Sequence, residues 1–162
     1  MTKTINFIDC SLRDGHQSLL ATRMSTEQCM RVLPMLKDSG YTILELWGGA
    51  TLDSALRFTN DDPFARLDQF RQTLGDGVSI RSLCRGQNLF GYNPYPDNVV
   101  VEFLKEAVRS GNDRVRIFDA LNDPRNLKVA IMATKTFDGH AEAALSYTTS
   151  PVHDVDHFVN FA

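Results

Sequence analysis

Strand-like and helix-like segments alternate five times along this chain, a pattern few folds can satisfy. The strands are read at residues 5–12, 42–47, 78–85, 115–121 and 143–148. They mix β-formers with alternating apolar positions and recur roughly every 30 to 38 residues, the length of a βα unit. The helix starts are Ser25 with Gln28 in capping-box spacing, Asp62-Pro63, Asp97, Asp123-Pro124 and Ser150-Pro151. Gly40, Gly75-Asp76-Gly77, Gly111 and Gly139 mark the stops. Pro34 falls inside the first of these helices and is expected to kink or shorten it, because it removes a backbone hydrogen bond. Repeated βα units call for a parallel sheet, either open and doubly wound or closed as a (β/α)8 barrel. A Rossmann-type sheet should carry a glycine fingerprint after its first strand. Here that turn reads Leu12-Arg13-Asp14-Gly15-His16-Gln17, charged rather than glycine-rich.

Composition narrows the function classes. Seventeen Lys and Arg against 20 Asp and Glu give a net charge of −3, with no basic run, so no footprint for nucleic acid is expected. No apolar stretch approaches the roughly 20 residues of a membrane span, and Met1–Phe7 lacks a signal-peptide core. A cytoplasmic protein is expected. Cys10, Cys29 and Cys84 form no CxxC pair and read as three reduced thiols.

The polar residues share one location, the C-terminal ends of the strands. The first strand ends in Arg13-Asp14-Gly15-His16-Gln17 and the second in Glu45-Leu46-Trp47-Gly48-Gly49. The third ends in Arg85-Gly86-Gln87-Asn88, the fourth in Asp119-Ala120-Leu121-Asn122-Asp123, the fifth in Tyr147-Thr148-Thr149-Ser150. In a barrel these ends converge on the rim that carries active sites. Asp14 is an oxygen ligand fit for a divalent cation. Arg13 and Arg85 offer guanidinium forks for a carboxylate or a developing enolate. Gln17, Gln87 and Asn88 can hold carbonyl and hydroxyl groups. A 2-oxo acid suits that set. The plainer alternatives are an Arg-Asp ion pair that ties loops together, and a His16 that only packs a loop. His153 and His157 are expected on one face of the last helix, without a third ligand. Trp47 and Phe90 read as packing residues.

Residues 12–24, Leu12-Arg13-Asp14-Gly15-His16-Gln17 through Met24, resemble the opening motif of biotin-dependent carboxyltransferases. That family comprises the carboxyltransferase domain of pyruvate carboxylase, the oxaloacetate decarboxylase alpha subunit and the transcarboxylase 5S subunit. Glu45–Asp53 with Leu56-Arg57-Phe58, Arg85–Tyr92, Tyr95–Val100, Arg116–Asp123 with Arg125-Asn126, and Tyr147–His153 are similar to its later blocks, in unbroken order. Asp62-Pro63-Phe64 resembles a further block that usually has tryptophan where Phe64 stands. Hydroxymethylglutaryl-CoA lyase and isopropylmalate synthase share the Arg-Asp opening but lack the Trp-Gly-Gly-Ala-Thr and Arg-Gly-Gln-Asn blocks.

The resemblance implies a TIM (β/α)8 barrel and carboxyl transfer between biotin, carried on a separate carrier domain, and pyruvate or oxaloacetate. It assigns Arg13 and Arg85 to catalysis and Asp14 to a divalent metal (Zn, Mn or Co). Gln17, Arg85, Asp53 and Tyr92 fall to the substrate, and Asp53 and Tyr92 also to biotin. The family completes its metal site with a lysine and a His-x-His pair from later strands, and this sequence has no His-x-His. A whole barrel takes roughly 250 residues, so residues 1–162 are expected to hold about the first five βα units. A chain with half a site is expected to be inactive alone and to act as an oligomer or with a partner chain that completes the barrel. The alternative is a non-catalytic assembly subunit completed in the same way.

Overall fold

A computed structural model describes residues 5–162. Met1–Thr4, the start of the polar N-terminus, lie outside the described residues. Strands β1 (Ile8–Asp9), β2 (Ile43–Gly48), β3 (Ser79–Cys84), β4 (Arg114–Phe118) and β5 (His140–Ala144) form one sheet. Their order is β1-β2-β3-β4-β5 and every pair is parallel. The helices are α1 (His16–Leu20), α2 (Thr26–Lys37), α3 (Gly49–Ser54), α4 (Pro63–Leu74), α5 (Asp97–Arg109), α6 (Pro124–Thr136) and α7 (Val155–Phe161). A doubly wound sheet reverses its strand order at a switch point, and this order never reverses. Right-handed crossovers along such an order lay their helices on one face.

That face is the core. Leu44, Leu46 and Ile80 pack with Leu33, Leu67 and Phe70, while Val115 and Ile117 pack with Val100, Leu104 and Leu127. A bulge between Glu45 and Trp47 sets two residues of β2 against one of β3. Both Leu46 and Trp47 are thereby buried, against the usual alternation. Trp47 stacks on Phe103 at 5.6 Å, and Phe90 lies 5.3 Å from the same ring, so both rings pack here, although Phe90 also borders a polar cavity. Glu45, Arg81 and Arg116 take the alternate positions and point to the other face.

The helix signals hold at α2, α4 and α6. Gln28 N–H donates to Ser25 Oγ (3.3 Å) and Ser25 N–H to Gln28 Oε1 (2.9 Å), a complete capping box. Asp62 and Asp123 cap α4 and α6, each with proline at the first helical turn. α2 runs through Pro34 and ends three residues later at Lys37, ahead of Gly40.

Five expectations are corrected. β1 has two residues rather than eight, because the Cys10 carbonyl accepts the N–H groups of Arg13, Asp14 and Gly15 (2.8–3.2 Å) and coils Ser11–Gly15 into a wide helical turn. β5 begins at His140 rather than 143. The Gly139 N–H returns to Thr134 O (2.9 Å), and the next residue already pairs with β4. α7 begins at Val155 because Asp154, not Ser150, accepts the His157 N–H (2.8 Å). His153 therefore precedes that helix, with its ring 4.8 Å from that of His157. Asp97 is the first residue of α5 rather than its cap. Among the described residues no helix is long and apolar enough to cross a membrane.

Candidate functional site

The turn after β1 supplies the first side chains. Arg13 is buried, and its Nε donates to Glu45 Oε1 at 2.6 Å. Its Nη1 lies 3.0 Å from Asp14 Oδ1, while the Asp14 side chain is 61% exposed. Gln17 follows four residues later, one helical turn on. His16 faces inward. The Met24 N–H donates to its Nε2 (2.7 Å) and its Nδ1 faces Leu12 O (3.3 Å). Burial is the main cause that lowers its pKa. His16 is thus the loop-packing residue of the plainer reading.

The end of β2 is open because it is glycine. A Cβ on Gly48 would stand 3.5 Å from Arg13 Cδ, and one on Gly49 would stand 2.9 Å from Arg85 Nη2 and 2.8 Å from Phe90 Cα. Two arginines, from the ends of β1 and β3, therefore pass a strand end with no side chain in the way. Arg85 is steadied by the Phe90 carbonyl (2.8 Å), with the Tyr92 ring 5.6 Å from its guanidinium carbon. On α3, Asp53 pairs with Arg57 at 2.8 Å.

Arg13, Gln17, Asp53, Arg85 and Tyr92 line one polar cavity of about 490 Å³. Arg23 and Arg57 line it too, although the sequence motifs give neither a role. Arg23 lies 3.3 Å over the Phe58 ring and donates to Ser54 Oγ (3.1 Å). The wall beside it includes Ala21 and Thr22, two successive non-glycine residues at φ +46° and +59°. That conformation is costly for such residues and is common at working sites. A larger apolar cavity, about 790 Å³, shares only Phe90 with this one and brings no opposed charges to a reacting centre. The polar cavity, which gathers the charged strand-end residues, is the candidate site.

The other strand ends are spent on structure. Gln87 Nε2 donates to Tyr95 O (2.7 Å) and to Asp97 Oδ1 (2.9 Å), tying its loop rather than facing the cavity. Asp119 accepts the N–H groups of Leu121 and Asp123. Asn122 and Ser146 cross-link the ends of β4 and β5 through two 2.8 Å bonds. Asn88 and Tyr147–Ser150 lie outside the cavity. Cys84 is buried, and that burial pushes its thiol up to about 12, which disfavours the thiolate a nucleophile needs. Asp14 is a sound oxygen ligand, but no group of three His, Cys, Asp or Glu among the described residues could hold a metal ion. The residues present do not make up a metal site.

No protein-family model matches the chain. It is 43% identical over 160 residues to the methylmalonyl-CoA carboxyltransferase 5S subunit of Propionibacterium freudenreichii subsp. shermanii, across 99% of this chain and 32% of the relative. It is 39% identical over 160 residues to the 2-oxoglutarate carboxylase large subunit of Hydrogenobacter thermophilus, across 99% of this chain and 24% of the relative. The solved carboxyl transferase domain of Rhizobium etli pyruvate carboxylase with pyruvate and biocytin superposes with a TM-score of 0.91 at 38% identity. That match covers 99% of this chain and 28% of the other. The chain thus spans a third or less of the length of these relatives.

Proposed function

The chain is a relative, over nearly its whole length, of the N-terminal part of the biotin-dependent carboxyltransferases, and from that kinship we propose that its polar cavity is half of a carboxyl-transfer site for pyruvate and oxaloacetate. The observation that carries the reading is the meeting of Arg13 and Arg85 across Gly48-Gly49 in one cavity with Gln17. A 2-oxo acid needs a fork for its carboxylate and a second cation where enolate charge develops. Arg85, at the mouth beside Tyr92, suits the carboxylate. Arg13, deeper and buried, suits the enolate oxygen, with the Gln17 amide as a further donor. Asp53, Arg57 and Tyr92 form the side by which a biotin ring, brought on a carrier domain, reaches the bound substrate. Biotin supplies or accepts the carboxyl group. In the carboxylating direction a bond forms between C3 of the pyruvate enolate and the incoming carboxyl carbon. The bond from that carbon to the biotin nitrogen breaks, and the C3 proton ends on that nitrogen.

In this reading the five units are consecutive units of a (β/α)8 barrel. The unreversed order of the all-parallel strands supports it. The family's divalent metal would take Asp14 as one ligand and the rest from strands beyond these five, so no step here is routed through it. A non-catalytic assembly role, in which a partner chain completes the barrel, is the second reading. Pyruvate titrated onto the purified chain, followed by saturation-transfer NMR, should bind, and Arg85→Met should abolish the signal. An unchanged signal in the variant would overturn the assignment. Oxaloacetate decarboxylation by the chain alone is expected at the buffer rate, and turnover well above it would refute the half-site.

A further inference from the structure

Glu45 sits in the middle of β2 with no exposed surface, on the face away from the core. A fully buried carboxylate is costly unless cations and hydrogen bonds compensate it. Three guanidinium groups converge on this one. Arg13 is nearest, with Nε and Nη2 both 2.6 Å from Oε1. Arg81 Nε lies 3.2 Å from Oε2, and Arg116 Nη2 lies 3.5 Å from Oε1. Arg81 also has Glu142 at 3.0 Å, which Arg114 shares at 3.3 Å. Arg81 and Arg116 are therefore loosely held or shared, whereas Arg13 commits one whole edge to Glu45.

Arg13 has little else to fix it. It rises from a coiled turn rather than a strand, and its only other partner among the described residues is the exposed Asp14. Without that edge contact to Glu45, the guanidinium end could still turn toward the cavity it borders. We propose that Glu45 is a positioning residue, whose buried carboxylate fixes the Arg13 guanidinium in the polar cavity. A buried ion pair is weak evidence for a stabilising role, since apolar replacements often serve as well. Its worth here is orientation. With the Nε–Nη2 edge taken and one Nη1 N–H turned to Asp14, the donors left for a ligand are the second N–H groups of Nη1 and Nη2. The consequence for substrate binding rests on the proposed function, but the positioning does not.

The test uses the ¹⁵N-labelled chain, with the Arg13 Nε–H resonance assigned through Arg13→Lys. In the unaltered chain this proton should be protected from exchange. Glu45→Gln keeps an oxygen acceptor and removes the charge. It should accelerate the exchange and raise the dissociation constant for pyruvate, each about tenfold, the loss expected for one strong charge-assisted contact. Glu142→Gln, which touches Arg81 and Arg114 but not Arg13, should change neither. An unprotected Arg13 Nε–H in the unaltered chain overturns the proposal, as does unchanged protection in a folded Glu45→Gln. An equal response to Glu142→Gln also overturns it, because a general network role would produce that. Should Glu45→Gln fail to fold, the scalar coupling from Arg13 Nε to the Glu45 carboxyl carbon in the unaltered chain decides. Its presence supports the proposal and its absence refutes it. If the chain binds no pyruvate, the half-site reading fails while the exchange data still decide the role of Glu45.

Discussion

His16 shows how one side chain can couple the site turn to pH. Because the Met24 N–H donates to Nε2, that nitrogen must be unprotonated, and the ring proton sits on Nδ1 facing Leu12 O. Burial lowers its pKa, partly offset by the Leu12 carbonyl, with Arg66 lowering it further. The folded pKa thus lies below the unfolded value of about 6.5. In the interval between them the unfolded chain binds more protons, so stability rises with pH. The contribution is present in full above about 6.5 and is lost as pH falls through the folded value. Urea midpoints measured between pH 7 and 5 should fall. His16→Phe should be less stable at pH 7 but lose most of that slope, and a slope kept by the variant would assign it elsewhere. The residue types of the site are legible in the sequence. Arg13, Gln17, Asp53, Arg85 and Tyr92, matched one by one to family motifs, do converge on one cavity. Glu45 can be read only as a charged residue near a strand end. Its role depends on which face of the sheet it takes and on Arg13 coming from 32 positions away, and neither has a local signal.

At the level of elements, the capping signals at α2, α4 and α6 hold because they are local, whereas those read at Asp97 and Ser150 do not. A side-chain oxygen three residues from its donor acts the same in any fold. β5 starts earlier than its sequence suggests because His140–Ala144, rich in alanine, has little strand propensity of its own. Pairing with β4 decides it. α3 and the wide turn Ala55–Thr59 after it leave no sequence signal. They begin on a glycine, and the side-chain cap that signals other helices is lacking. They nonetheless carry Asp53 and Arg57. Two substitutions separate local from tertiary constraints. Ser25→Ala removes one cap and should cost about 1 kcal/mol with no change in pyruvate binding. Gly86 has φ +50°, and a Cβ there would stand 2.4 Å from Asn126 O, backbone that cannot swing aside. Gly86→Ala should cost about 1–3 kcal/mol. It should also weaken pyruvate binding, because the displaced loop carries Arg85. Denaturant midpoints and the pyruvate titration on both variants check this, and equal effects on binding would refute it.

Taken as a whole molecule, the sheet has a helix-covered face and a charged one, and among the described residues nothing pairs with the outer side of β1 or β5. β1 is two residues long, a poor template. β5 is five residues long, with His140 and Ala143 exposed and no proline or lysine to discourage pairing. The charged face adds a second incentive to associate. Arg13, Arg81, Arg114 and Arg116 share it with Glu45 and Glu142, so these groups leave more cations than anions there. In a closed barrel, further strands would cover both the edge and the face. Without them, edge-to-edge pairing through β5 is the cheapest way to satisfy its free N–H and C=O groups. Sedimentation of the chain should therefore show a concentration-dependent mass above that of a monomer. Ala143→Lys, which puts a charge on the exposed side of that edge, should shift the equilibrium toward monomer and leave the midpoint of unfolding little changed. If the variant associates as strongly as the unaltered chain, β5 is not the contact, and the excess of arginine on the charged face becomes the surface to test.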